Sequence, residues 1–260
     1  MPPELVPAWV LIPVAFLLGS IPFGFLIARA KGVDIRKHGS RNVGATNVGR
    51  VLGKKFGRLC FVLDAGKGLL PTVLAGLNAG LLGRWMPPPE APSSLLALWL
   101  AVPLAAVLGH VFCPWLGFRG GKGVATSAGG LLGVFPVMTL AVLVAGLVWL
   151  AVFKLKRVVS IASLAAAGVV PLATASIISL APASASQNRW LATAPLLVLS
   201  LGLAAFVVYT HRENIARLRA GNEHAFRPAE PLAATAAPPP DARENPREMA
   251  RDTRAGTGRA

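Results

Sequence analysis

The chain has 260 residues, of which 54% are hydrophobic and only 14% are charged, and its mean hydropathy is +0.59. A soluble domain carries roughly a quarter charged residues, so this composition excludes an ordinary soluble globular protein and indicates burial in a membrane. The net charge of +15 must then lie mainly in the loops, because Lys and Arg are costly in the lipid core. The two cysteines, Cys60 and Cys113, are too few for a disulfide scaffold.

Seven apolar stretches are predicted to cross the membrane as helices of about 20 residues, with one shorter exception. They are residues 8–28, 59–82, 94–118, the short fourth stretch 124–135, 136–153, 158–181 and 191–210. The first has no basic start and no small-residue cleavage site, which predicts a retained span and not a removed signal peptide. Residues 228–260 are rich in Ala, Pro and Arg without apolar periodicity. They are therefore predicted to form a disordered tail after a membrane domain of residues 1–227.

Charge distinguishes seven spans from six, the alternative in which residues 124–136 join one long interrupted helix or form a re-entrant segment. With seven spans and a periplasmic N-terminus, 23 Lys and Arg fall inside and only Arg84 and Arg189 fall outside, with Lys67 within a span. With six spans, basic clusters would fall on both faces. The positive-inside rule favours an all-α protein with seven transmembrane helices and a cytoplasmic C-terminus.

Four polar clusters interrupt the apolar background, and the seven-span topology puts all four on the cytoplasmic side. The first, residues 39–50, mixes glycines with short polar side chains and arginines, a composition that lets backbone N–H groups approach an anion closely. The second, residues 119–126, puts Lys122 and three glycines at the start of the short helix, where amide donors attract anions. Lys122 is followed by Gly123, so the Walker pattern is incomplete and no nucleotide site is predicted. The competing interpretation is that both are solvated basic loops.

The third and fourth clusters each contain a pair of polar side chains on one helix face. Ser160 and Ser163 are three residues apart in cluster 156–163, and His211 and Asn214 are three apart in cluster 211–219. A neutral histidine can accept a proton from an attacking hydroxyl near neutral pH. The competing interpretation is that the cations of both clusters only mark the membrane interface.

Asp64 and Lys67 lie one turn apart inside the second span, where charges must be paired or face a cavity. They are either a structural or a functional ion pair. The sequence has no Cys/His cluster, no H-E-x-x-H motif and no carboxylate array of the kind that binds magnesium. We therefore expect chemistry on an anionic substrate with no metal, no other cofactor and no nucleic acid.

In their order along the chain, these clusters resemble the bacterial acyl-phosphate:glycerol-3-phosphate acyltransferases, the PlsY family. The similar runs are residues 39–50, 109–110, 120–126 and 211–218 continuing to Gly221 and Glu223, together with 19–24 and 63–68 in the first two spans. The family often has Gly where Arg41 stands and Tyr where Val158 stands, and neither difference removes a polar group that the chemistry needs.

The resemblance implies a multi-pass enzyme of the bacterial inner membrane. It would transfer a fatty acyl group from acyl phosphate to the sn-1 hydroxyl of glycerol 3-phosphate, giving lysophosphatidic acid and inorganic phosphate in phospholipid biosynthesis. An acyl phosphate is an activated mixed anhydride, so no cofactor is needed. The surrounding partner is membrane lipid, and it stays open whether a soluble acyl-phosphate synthase docks on the cytoplasmic loops.

The resemblance also implies roles for individual residues. Substrate phosphate binding is implied for Ser40, Asn42, Gly44, Thr46, Asn47, Arg50, Gly120, Gly121 and Gly123. Catalytic roles are implied for Lys122, Ser160, His211 and Asn214. Lys122 would stabilise the leaving phosphate, and the other three would orient the hydroxyl, whose proton passes to His211 or to the substrate's own phosphate. Direct attack is expected, because no side chain forms an obvious nucleophile with an adjacent base.

Two other classes of protein compete with this interpretation. An organic-anion transporter would also use basic, glycine-rich half-helix ends, but its polar groups would lie near the midplane, and the two halves of this chain show no internal repeat. A non-catalytic lipid-binding scaffold would not need so many small polar residues beside the cations.

Overall fold

The computed structural model describes residues 8–88, 91, 93–181, 189–223 and 225. Ten α-helices occur within these ranges, together with two short 3-10 turns at Ile35–Lys37 and Pro114–Leu116, and these described residues contain no strand. The helices are α1 (Ala8–Gly19), α2 (Phe23–Arg29), α3 (Ala45–Val51), α4 (Lys54–Asn78), α5 (Ser93–Val111), α6 (Val124–Leu132), α7 (Val137–Lys156), α8 (Val159–Leu180), α9 (Arg189–Thr210) and α10 (Arg212–Arg219). The predicted tail, 228–260, lies outside the described residues.

Several of these helices can cross a membrane by length and composition. The six segments are Val10–Arg29, Lys54–Asn78, Ser94–Leu116, Val137–Lys156, Val159–Leu180 and Trp190–Thr210. The prediction of an all-helical chain with several membrane-spanning helices is thereby confirmed.

The polar segment between the first two spans is more structured than the sequence suggested. Residues 29–58 form a polar, basic stretch of the sequence, in which α3 forms and α4 begins at Lys54, five residues before the predicted span. The turn between them is made by Gly53, whose φ of +94° is a conformation that glycine adopts without strain. The two helices touch, because a β-carbon on Gly57 would lie 2.6 Å from the Gly49 Cα. Close packing of small residues therefore orders this segment beside the membrane.

The first span is broken, as its Gly, Ser and Pro residues suggested, and side chains from elsewhere satisfy the break. Residues 20–22 separate α1 from α2. The Cys113 thiol donates to the Ser20 carbonyl at 3.1 Å, and the Lys67 ammonium donates to the Ile21 carbonyl at 2.7 Å. Lys67 Nζ also lies 2.8 Å from Asp64 Oδ1. This buried ion pair therefore has a structural part, since backbone carbonyls freed inside a membrane need donors.

The predicted short fourth helix is present as α6, separated from α7 by residues 133–136. Its nine residues are too few for it to count among the six candidate spans. A β-carbon on Gly129 would lie 1.9 Å from the Ala65 carbonyl oxygen, and one on Gly133 would lie 2.8 Å from the Thr72 Cβ. Helices α6 and α4 thus run parallel, at a separation that only glycine permits. The end of α6 lies far from its polar start.

The last three long helices pack in sequence, with α7 and α8 antiparallel. At the polar end, the Thr210 hydroxyl donates to the Lys122 carbonyl at 3.1 Å and so ties the end of α9 to the glycine-rich loop before α6. The last predicted span ends at residue 210, and the helix is interrupted at His211 before α10 starts at Arg212. The His211 backbone has left helical geometry, with ψ near 8°, which turns its ring towards the protein interior.

Candidate active site

Side chains from all four polar clusters line one cavity of about 140 Å³. Every predicted site residue except Gly120 and Gly121 lines it. Five polar or charged lining residues were not predicted as part of the site: Asp64, His110, Ser163, Arg217 and Glu223. The four clusters therefore converge on one cavity in the fold, and six chain segments supply its walls.

The first polar cluster is organised around the side chain of Asn47, which is only 1% exposed. Its Oδ1 accepts from the Ser40 N–H at 2.8 Å, while its Nδ2 donates to the carbonyls of His38 at 3.0 Å and Asn42 at 2.8 Å. An amide side chain with its oxygen and both hydrogens engaged has little left for a ligand. In this structure the Asn47 side chain therefore holds the loop in shape and has no free donor for a phosphate, so direct phosphate binding by Asn47 stays a prediction.

A second hydrogen bond stabilises the loop that Asn47 holds. The Asn42 Oδ1 accepts from the Gly44 N–H at 2.9 Å, which fixes the entry into α3 and uses the Gly44 amide. The side chains of Ser40, Thr46 and Arg50 line the cavity from this shaped backbone. Burial lowers the pKa of the Arg50 guanidinium below its ordinary value, although Glu223 raises it. Arg50 stays protonated and is available to an anion.

In the glycine-rich loop before α6, two backbone amides that were expected to bind phosphate are bonded within the protein. The Gly120 N–H donates to the Val111 carbonyl at 2.9 Å, and the Gly121 N–H donates to the His110 carbonyl at 3.1 Å. A β-carbon on Gly121 would lie 2.1 Å from His110 Nε2. The amides of Gly120 and Gly121 are therefore engaged in this conformation, and these glycines serve close packing. Gly123, with a φ of +80°, turns the chain into α6, whose first-turn amides lack helical acceptors.

Lys122 is held at the centre of the site. Its ammonium donates to the Asn214 side-chain oxygen, so the glycine-rich loop and α10 meet there. Burial lowers the pKa of Lys122 to about 8; Glu223 opposes this shift, and Arg217 reinforces it. The ammonium is therefore charged at neutral pH but poorly solvated, a state that a bound phosphate would relieve.

Glu223 joins the remaining polar groups. Its Oε1 accepts from the Ser160 hydroxyl at 2.7 Å and from the Asn214 side-chain amide, and its Oε2 accepts from Arg217 Nε at 2.8 Å. Burial acts to raise the pKa of Glu223, but the hydrogen bonds that it accepts outweigh burial and lower the pKa. The sequence signal for this residue was a carboxylate that follows Arg217 and Arg219 at the end of the motif run.

His211 presents a neutral ring to the cavity. Its Nδ1 lies 2.8 Å from the Val207 carbonyl, and because a carbonyl only accepts, Nδ1 carries the hydrogen. Burial, together with the positive charge of Lys122, lowers the pKa of His211 to about 4. The free Nε2 is thus a hydrogen-bond acceptor at neutral pH.

The inner wall of the cavity contains His110 and Asp64. His110 is buried, with Nδ1 at 3.6 Å from Asp64 Oδ1. The Cys60 thiol donates to Asp64 Oδ2 at 3.4 Å. Since Lys67 also pairs with this carboxylate, the wall is a connected polar group that links the site to the break in the first span.

Comparison with known proteins supports the resemblance read from the motifs. The family model described as glycerol-3-phosphate acyltransferase matches residues 9–221. The chain belongs to this family. The match begins at the second residue of α1 and ends at residue 221, after α10 and two residues before Glu223.

The similar members come from diverse bacteria. The glycerol-3-phosphate acyltransferase of Geotalea daltonii is 43% identical over 84% of this chain and 97% of its own length. That of Myxococcus xanthus is 45% identical over 83% of this chain and 98% of its own. A crystal structure of PlsY (YgiH), an integral membrane glycerol 3-phosphate acyltransferase in its glycerol 3-phosphate form, is 39% identical, with a TM-score of 0.68 over 88% of this chain and 99% of that one. A lysophosphatidic acid form of PlsY is 40% identical, with a TM-score of 0.67 over 85% of this chain and 95% of that one.

An apolar cavity of about 420 Å³ adjoins the polar one in this family member. Phe61, Val124 and Ser163 line both, so the two spaces meet at these residues. The apolar cavity extends from there between α6, α7, α8 and α9. A molecule with a charged head and a hydrocarbon tail would fit with one part in each space.

Proposed function

We propose that this chain transfers a fatty acyl group from acyl phosphate to the sn-1 hydroxyl of glycerol 3-phosphate, giving lysophosphatidic acid and inorganic phosphate. One observation carries the proposal: a polar cavity with cations from three chain segments opens into an apolar cavity in the same bundle. The names of the family and of its similar members support the acyl acceptor.

The charges of the polar cavity suit two phosphate-bearing substrates. Arg50, Lys122 and Arg217 contribute positive charge, and the first-turn amides of α6 add neutral donors. The apolar cavity would hold the hydrocarbon chain of the donor, with its phosphate towards Lys122. The reacting carbonyl would then lie where the two cavities meet, near Val124 and Ser163.

The reaction requires one bond to form and one to break at the acyl carbon. The glycerol oxygen forms the new ester bond, and the bond from the acyl carbon to the phosphate oxygen breaks, so inorganic phosphate leaves. Lys122 stabilises the negative charge that grows on the carbonyl and the departing phosphate. Because the lowered pKa of His211 makes it a weak base, we assign the hydroxyl proton to the departing phosphate, with His211 Nε2 as the acceptor that orients the hydroxyl.

A covalent acyl-Ser160 intermediate is the rival mechanism, because the Ser160 hydroxyl donates to Glu223 at 2.7 Å. The lowered pKa of Glu223 makes it a weak base for activating a serine, and its oxygens already accept from Asn214 and Arg217. We therefore propose direct attack. Mass spectrometry after rapid quenching with donor alone would overturn this choice if it found an acyl adduct on Ser160.

We also propose the bacterial inner membrane, with seven crossings, a periplasmic N-terminus and the site on the cytoplasmic side. The Gly83 N–H donates to the Phe135 carbonyl at 3.1 Å, so the end of α6 meets the α4–α5 connection, at the far end from Lys122. Such a path supports a full crossing by α6. A soluble acyl-phosphate synthase would then meet the exposed basic loops that carry Arg41 and Arg119.

Purified protein in detergent, given hexadecanoyl phosphate and glycerol 3-phosphate, tests the proposal through phosphate release and product analysis. We expect sn-1 lysophosphatidic acid, no product from hexadecanoyl-CoA, and a loss of about a hundredfold or more for Lys122→Ala. Lys156→Ala, which changes an exposed lysine outside the cavity, is the matched control and should behave as the wild type. Absence of release in the wild type, or equal rates for Lys122→Ala and the wild type, would refute the enzyme and favour a transporter or scaffold.

A further inference from the structure

We propose that Arg41 is an entrance residue of the polar cavity, whose positive charge draws the phosphate of the water-soluble acyl acceptor to the cavity mouth. This inference rests on the proposed acyl transfer and concerns the capture of its acceptor. It combines three observations on Arg41: its place beside the opening of the cavity, the conformation of its backbone, and a charge without an ion-pair partner among the described residues.

The lining of the polar cavity contains two exposed residues, one in a membrane-spanning helix and one in a loop. Phe61 is 48% exposed, belongs to the span Lys54–Asn78 and also lines the apolar cavity. Ser40 is exposed in the loop before α3, outside the candidate spans. A substrate that is soluble in water therefore meets the cavity at Ser40. Arg41 and Asn42 follow directly; Arg41 is exposed as well, and Asn42 lines the cavity.

The loop imposes on Arg41 a backbone conformation that suits glycine better than arginine. Its φ is +61°, in the left-handed region, which is sterically unfavourable for a residue with a β-carbon. The Arg41 N–H donates to the His38 carbonyl at 3.0 Å, and the Asn47 side chain holds the carbonyls of His38 and Asn42 on either side. The acyltransferases that the chain resembles often have glycine at this position. What arginine adds over glycine here is a positive charge on a long side chain.

The charge of Arg41 is not neutralised by a neighbour. Arg36 lies 2.9 Å from the carboxylate of Asp34, and Arg217 lies 2.8 Å from that of Glu223. Among the residues that the structure describes, no carboxylate forms such an ion pair with Arg41. An unpaired cation beside an opening attracts a dianion from solution, whereas a cation that is paired with a carboxylate contributes little to the field outside.

An exposed charge acts mainly on the rate of capture, because water and salt screen it. Arg50 and Lys122 line the cavity and would hold the phosphate once it has entered. Loss of the charge at Arg41 should therefore slow the arrival of the acceptor at low ionic strength and leave the chemical step unchanged. Salt should remove this effect, since the Debye length falls from about 30 Å at 0.01 M to about 3 Å at 1 M.

Arg157 provides a closely matched control. It is also an exposed arginine in the left-handed region, with a φ of +57°, and it likewise forms no ion pair with the described residues. Neither Arg157 nor its neighbours Lys156 and Val158 line the polar cavity. Arg41→Asn and Arg157→Asn each remove one exposed charge from the same backbone conformation, which asparagine tolerates.

The experiment measures kcat/KM for glycerol 3-phosphate at saturating hexadecanoyl phosphate, in about 0.01 M and about 1 M sodium chloride. Arg41→Asn should lower kcat/KM by about threefold at low salt and match the wild type at high salt, with kcat unchanged at both. Arg41→Lys should retain the wild-type value, and Arg157→Asn should follow the wild type at both salt concentrations. KM for hexadecanoyl phosphate should not change in Arg41→Asn, because this donor reaches the cavity from the lipid side.

A wild-type kcat/KM for Arg41→Asn at low salt would overturn the entrance role, as would a loss that persists at high salt or that Arg157→Asn shares. If Arg41→Asn does not fold, Arg41→Gly decides, because glycine adopts a φ of +61° without strain and also lacks the charge. The proposed function fails separately, by a wild type that forms no lysophosphatidic acid and releases no phosphate at either salt concentration.

Discussion

The two adjoining cavities are built in opposite ways. In the polar cavity, Lys122, Glu223 and His211 each have a named partner, and burial shifts the pKa of Lys122 and His211. In the apolar cavity, small side chains leave space, and its glycine at 146 has no close neighbour. Hydrogen bonds hold the atoms of the polar cavity at defined positions. The apolar wall limits only the volume that is available to a ligand. Substitutions should therefore have abrupt effects in the first cavity and graded effects in the second.

After Lys122→Ala, the largest expected effect is at His211. His211→Ala removes the neutral acceptor that orients the hydroxyl, and we expect kcat to fall by about a hundredfold with little change in thermal stability. His211→Gln offers a carbonyl oxygen near the same place and should recover part of the loss. The measurement is phosphate release at saturating substrates, with melting temperature recorded in the same detergent. A kcat within a few-fold of the wild type would remove His211 from the chemistry.

The pH dependence should follow the lowered pKa of Lys122, about 8 in the free enzyme. Lys122 is charged below that pH and neutral above it, so kcat/KM should fall about tenfold per pH unit above 8. His211, with a pKa of about 4, stays neutral from pH 5 upward and adds no acid limb there.

Lys122→Arg is the control for the fall of kcat/KM above pH 8, because arginine stays protonated over the whole pH range. The activity that remains in this variant should lack the fall above pH 8. If kcat/KM of Lys122→Arg still falls above pH 8 as in the wild type, another group is responsible for the fall.

Asn47→Ala should reduce stability more than chemistry. The substitution leaves the Ser40 N–H and the carbonyls of His38 and Asn42 without their partner, at a cost of about 3 kcal/mol. The melting temperature should fall clearly, and KM should rise as the loop loses its shape. Asn47→Asp keeps the acceptor but not the donors, so it should recover only part of the stability. A wild-type melting temperature with a large loss of activity would mean that Asn47 binds substrate after all.

The smallest expected effect is at Ser163, which lines both cavities. Ser163→Ala removes only the acceptor for the Trp149 indole, so kcat/KM should change by less than about threefold. Ser160→Ala, one turn earlier on α8, is the contrasting variant, because it removes a donor to Glu223 and should cost more. A tenfold loss of kcat/KM for Ser163→Ala would mean that Ser163 takes part in substrate binding or catalysis.

Much of the site could be predicted from the sequence, because the alternation of membrane spans decides on which side of the membrane each loop lies. Hydropathy predicted the helices and charge predicted their direction, which put the four clusters on one side. In the structure, eleven of the thirteen named residues line one cavity. The roles of individual groups were less readable. Gly120 and Gly121 looked like anion donors, but their amides bond to carbonyls of the α5 end. Glu223 lay within the motif run, and only the fold shows three side chains converging on it.

The sequence by itself determined the membrane class, the helical spans, the family and the order of the polar clusters, because each depends on composition and spacing along the chain. Tertiary structure decided which polar groups are already engaged, where the last span breaks at His211, and that an apolar space opens beside Val124. These depend on atoms brought together from distant parts of the chain. A hydrogen-bond partner or an empty volume belongs to several helices at once, and no single segment encodes it.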